Sequence, residues 1–126
     1  WRVRWPHGGE GKAWLRSFTG THQRFYAAAL SSAVLGDHSY LSLGFPVGPG
    51  NVTVILRLHN DGEGLVLSTR NDALAGTYAI VPGRRRFVAL PGPPTNEVLR
   101  AQPRARGVAV RHEDWLGPRR AFALQF

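Results

Sequence analysis

The chain has 126 residues, enough for one domain with a single core, and a compact chain of this size buries roughly 65% of its unfolded surface. It has no cysteine, which excludes disulfides, thiolate metal sites and thiol nucleophiles. With 16 Lys and Arg against 8 Asp and Glu, the formal net charge is +8, a field that attracts phosphates and acidic surfaces.

The positive charge is almost all arginine, since Lys12 is the only lysine. The guanidinium fork suits phosphate and carboxylate recognition, but abundant Arg, Ala, Gly and Pro also fit a bacterial-like, GC-rich codon usage. No apolar run approaches the roughly 18 residues of a membrane span. The chain starts "WRVRWPHGGEG" without methionine. The expectation is a domain excised from a longer polypeptide, cytoplasmic or attached to a membrane through segments outside it.

Residues 1–11 alternate apolar and cationic side chains and then meet Pro6, Gly8, Gly9 and Gly11, the pattern of a flexible entry or frayed edge strand. "KAWLRSF" reads as a strand with Trp14 and Arg16 on one face. Residues 22–35 are ambiguous. Three consecutive alanines favour a helix stopped by Gly36, while Phe25, Ala27 and Ala29 fit alternation. The β-rich context tips the reading towards strand.

"SYLSLGF" alternates Leu41, Leu43 and Phe45 against Tyr40 and Ser42. In "VTVILRLHN" the residues Val52, Val54, Leu56 and Leu58 fall on one face with Arg57 opposite, and "LVLSTR" returns after Asn60, Asp61 and Gly62. Those three are hairpin-corner residues, so the acids of "HNDGEG" are expected to serve a turn rather than bind calcium. "TYAIV", "RRFVAL" and "NEVLRA" follow as short strands separated by proline turns, and "RGVAVRHEDW" with "RRAFALQF" forms a terminal hairpin. Strands at this spacing predict a mainly β domain, an antiparallel meander forming a barrel or a strongly curved sheet, lipocalin-like in architecture.

No catalytic signature stands out: there is no G-x-S-x-G elbow, no phosphate loop and no close histidine pair of the zinc type. His112 and Asp114 in "RHEDW" share a strand face, an arrangement that can orient a base or ligate a metal, but a charged strand end is the commoner reading. The expectation is a non-enzymatic domain, with no metal or cofactor, that binds a small apolar or amphipathic molecule inside the sheet. Arg16, Arg57 and Arg70 would stand at the mouth, Trp14, Tyr40 and Tyr78 in the wall, and His112 would be a further ligand contact. The rival is a basic docking domain. Its "GRRRF" run, Arg84 to Arg86 before Phe87, would meet nucleic acid, an anionic membrane surface or the parent chain.

Overall fold

The computed structural model describes residues 2–4, 10–17 and 24–125, with side chains described for residues 12, 13 and 28–125. Among the described residues eleven strands form one antiparallel sheet: β1 (Arg2–Arg4), β2 (Glu10–Ser17), β3 (Arg24–Leu35), β4 (His38–Val47), β5 (Gly50–Asn60), β6 (Leu65–Ser68), β7 (Gly76–Pro82), β8 (Phe87–Pro91), β9 (Thr95–Arg104), β10 (Gly107–Leu116) and β11 (Arg119–Gln125). There is no helix among the described residues.

The alanine-rich stretch is therefore β3. It pairs with β2 from Lys12↔Leu30 to Ser17↔Arg24 and with β4 from Ala29↔Gly44 to Leu35↔His38. A ladder on both sides outweighs the helix preference of three alanines. Of the amino-terminal segment, Arg2–Arg4 pair with Glu10–Lys12, and residues 5–9 lie outside the described residues.

Local turn chemistry explains the hairpins. Gly36-Asp37, Gly48-Pro49 and Gly117-Pro118 each separate paired strand ends, and each opens on a glycine with φ between +53° and +58°. A glycine of positive φ in the first of two turn positions matches the right-handed twist of the flanking strands.

The sheet does not close into a barrel, and its strand order departs from a simple meander. From β1 to β5 the strands are neighbours in chain order, and then β5 forks. Its carboxyl half pairs with β6, Arg57↔Ser68 to Asn60↔Leu65, while its amino half pairs with β7, Ile55↔Gly76 to Asn51↔Ile80. One wing continues β6-β9-β10-β11 and the other ends at β8. The cause is the shortness of β6. Its ladder stops at Ser68, Thr69 is held by Glu97 (Thr69 N to Glu97 O 3.0 Å, Glu97 N to Thr69 Oγ1 2.9 Å), and the chain loops back to β5 as β7.

Hydrophobic alternation places the core. Leu43, Val54, Leu56, Leu67 and Leu99 share one face, called inner here, with Leu41, Phe45, Leu58 and Val110 packed against them. Leu56 stands at the fork with 0% exposure and Leu43 with 1%. Burial of each contributes about 1.5–3 kcal/mol. The wings bury far less, because β8 and β11 are exposed along their whole length. The accessible surface is 9504 Å², against about 6,700 Å² for a compact monomer of this mass. The burial expected from length is not reached, because an open sheet leaves its wings without a second layer.

Candidate functional site

The corner between β5 and β6 is a structural turn. Asp61 Oδ1 accepts hydrogen bonds from the amides of Glu63 and Gly64, both 3.1 Å, and Asn60 Oδ1 accepts one from Gly62 at 2.8 Å. Arg100 holds the other Asp61 oxygen at 2.6 Å, and Gln102 donates to Glu63 at 3.2 Å. The Glu63 amide chiefly holds the Asp61 carboxyl below its ordinary pKa, against some desolvation, with Gly64 and Arg100 helping. The acids serve the turn.

On the outer face, strand register gathers cations. His59, Val66 and Arg100 form one cross-strand row over β5, β6 and β9, and Arg57, Ser68 and Val98 form the next. Beyond Ser68, Arg70 donates its amide to Ser68 Oγ (3.0 Å), and Asn71 takes φ +57°, a conformation asparagine tolerates. The resulting cleft, about 390 Å³, is lined by Arg57, His59, Val66, Ser68, Arg70, Asn71, Val98 and Arg100. Three guanidinium groups and an imidazole line it, with no carboxylate among them. Arg70 lies over the Trp115 ring, 4.9 Å from its centroid, and has no ion-pair partner among the described residues. Arg57 Nε is buried without a hydrogen-bond partner.

Asp72 fixes the edge of the cleft. Its Oδ1 accepts the amides of Leu74 (2.8 Å) and Ala75 (3.0 Å), and its Oδ2 accepts the Tyr40 hydroxyl (3.0 Å) and lies 3.7 Å from Arg57 Nη1. The Leu74 amide leads in holding the Asp72 carboxyl low, against its desolvation, with Ala75, Tyr40 and Arg57 adding to it. Burial, then the bond to Asp72, raises the Tyr40 phenol. On the other side of Tyr40 runs an apolar groove of about 260 Å³, lined by Ala33, Val34, Leu35, Tyr40, Ile55 and Leu74 together with Ser31 and Ser42.

Tyr40, Arg57 and Arg70, expected at a ligand site, are therefore brought together, on an open face rather than in a barrel interior. Tyr78 lies further along the sheet, opposite Thr53, and donates its hydroxyl to Leu74 O (3.0 Å). Trp14 and Arg16 stand at register positions opposite Ala28 and Tyr26, and their side chains lie outside the described residues. His112 is on the inner face, its Nε2 2.8 Å from Glu97 Oε1, so it belongs to a different place. Sequence reasoning did not select His59 and Arg100. Only the β6–β9 pairing brings Arg100 beside His59, and no local signal announces it.

The "GRRRF" run forms the β7–β8 turn, closed by a Gly83 N to Arg86 O bond of 2.8 Å, and Phe87 beside it is 66% exposed. No protein-family model, curated protein or solved structure matches the chain.

Proposed function

We propose that the domain binds a small amphipathic anion across its outer face, with a carboxylate or phosphate head in the arginine cleft and an apolar tail in the groove beyond Tyr40. The observation that carries this reading is the convergence of Arg57, Arg70, Arg100 and His59 on one cleft without a lining carboxylate, next to an apolar groove. Guanidinium groups recognise such heads through paired charge-assisted hydrogen bonds. Because Tyr40 and Arg57 are cross-strand partners, head and tail sites adjoin. The reading is capture rather than catalysis.

The test is a titration with octyl phosphate, octyl glucoside and inorganic phosphate, below micelle-forming concentrations. Octyl phosphate is expected to bind tightest, and Arg70→Ala, which removes no carboxylate pairing, to weaken it about tenfold. Equal binding of octyl phosphate and octyl glucoside, or no effect of Arg70→Ala, overturns the reading.

A second reading rests on the exposed Phe87 beside Arg84, Arg85 and Arg86, an apolar tip with a basic collar suited to an anionic lipid surface. It expects salt-sensitive co-sedimentation with phosphatidylglycerol vesicles, absent with phosphatidylcholine vesicles and lost in Arg85→Glu. Indifference to lipid charge removes it.

A further inference from the structure

The inner face of the β9–β10 ladder carries a polar group where the pattern calls for core. Glu97 and Asp114 are cross-strand partners, and His112, two residues before Asp114, points to the same face opposite Leu99. One donor atom from each of Glu97, His112 and Asp114 lies within 4.8 Å of the others. His112 is 9% exposed, and the Glu97 side chain 14%. Phe122 of β11 packs edge-on against the imidazole, ring centroids 5.2 Å apart at 79°.

This cluster lacks the partners that buried charges require. His112 Nε2 sits 2.8 Å from Glu97 Oε1 but not in hydrogen-bond alignment, and Nδ1 has no partner. Among the described residues no arginine or lysine forms an ion pair with Glu97 or Asp114, although the chain carries twice as many cationic as anionic side chains. Desolvation, then the neighbouring Glu97 charge, pushes the Asp114 carboxyl up, and His112 only partly offsets this. By contrast, Glu113, on the opposite face of the same strand, is bonded by Arg111 (2.7 Å) and Arg120 (3.2 Å).

We propose that Glu97, His112 and Asp114 bind a divalent transition-metal ion of the zinc type. One imidazole nitrogen and two carboxylate oxygens form a donor set that zinc and manganese accept, and a dication between the carboxylates cancels the repulsion the protein otherwise leaves unbalanced. A tetrahedral ion with donors about 2.1 Å away spaces them about 3.4 Å apart. The His112–Glu97 distance then opens by about half an ångström on binding. Three protein ligands leave a coordination position for water or an anion. The short link between His112 and Asp114 and the direct Glu97–Asp114 pairing place all three ligands on two adjacent strands, a rigid mount.

The test is calorimetric titration of chelator-treated protein with zinc chloride near pH 7, alongside melting curves. One ion per chain is expected, with a melting temperature that rises with zinc concentration. Glu97→Gln and Asp114→Asn are each expected to weaken binding about tenfold or more. Asp114→Asn also removes a poorly solvated charge, so its metal-free form is expected to melt no lower than the parent. Lost zinc affinity in that variant therefore reports ligation and not unfolding. Absence of saturable zinc or manganese binding, or binding unchanged in Asp114→Asn, overturns the proposal. Octyl phosphate binding on the outer face is expected to be indifferent to Asp114→Asn.

Discussion

The fork in β5 and the β9–β11 wing use the same alternating pattern and reach opposite results. At the fork, Leu56 has paired strands on both sides, β4 on one and β6 and β7 sharing the other, and it is wholly buried. In the wing, Phe122 and Leu124 alternate as regularly, yet both remain 40–49% exposed because β11 is an edge with no layer above it. Three acids differ between the same two regions, although Glu113 on the outer face of the wing is paired by Arg111 and Arg120. Asp61 and Asp72, in the loops flanking the fork, collect backbone amides and arginines, whereas Asp114 in the wing collects a second carboxylate. Alternation decides which way a side chain points, and the number of neighbouring elements decides whether that direction is dry.

Breaking the fork should have the largest effect. Leu56→Ala is expected to cost about 2–5 kcal/mol in urea unfolding, because the ladders around it, β4 on one side and β6 and β7 meeting on the other, hold the backbone against collapse into the void. A loss below about 1 kcal/mol would show that the fork is as loosely packed as the wings.

Asp72→Asn comes next, with a clear drop in melting temperature at neutral pH, since the amide accepts less well from Leu74, Ala75, Tyr40 and Arg57. The depressed carboxyl of Asp72 contributes stability above its unfolded range near pH 4, lost as pH falls through the lower folded value. The acid limb of the stability profile is therefore expected to flatten in this variant.

Asp114 has the opposite sign. Its raised carboxyl costs stability while ionised and regains it on protonation. Metal-free Asp114→Asn is expected to be modestly more stable than the parent at neutral pH, the gain shrinking as acidification protonates Asp114 in the parent. Equal acid profiles for Asp72→Asn and Asp114→Asn would erase the contrast between centre and wing. The smallest effect belongs to Phe87→Ser at the exposed start of β8, expected to change unfolding free energy by less than about 0.5 kcal/mol.

Much of the strand layout was legible in the chain. Val52, Val54, Leu56 and Leu58 sit on one face as their spacing requires, and the "HNDGEG" loop is the corner its residues suit. The strand reading of the alanine-rich segment depended on context, and its correctness rests on ladders with β2 and β4 rather than on the segment itself. The site was half legible. Arg57, Arg70 and Tyr40 stood out as an arginine-and-aromatic set, and His59 shares the Arg57 face two residues along β5, but Arg100 joins them only through the pairing of β6 with β9, some thirty residues apart in sequence. His112 and Asp114 were visible as a pair, while Glu97 reaches them from the neighbouring strand.

By itself the amino-acid sequence determined what is local: period-two sorting of side chains, glycine-first hairpins, and the absence of thiol chemistry. Those follow from backbone geometry and residue type within a few positions. Only the tertiary structure decided that β5 would fork, that the sheet would stay open, and that arginines from three segments would face one cleft. Strand partners remote in sequence are chosen by the burial of the whole sheet, and a four-residue β6 leaves half of β5 free for a later strand to claim.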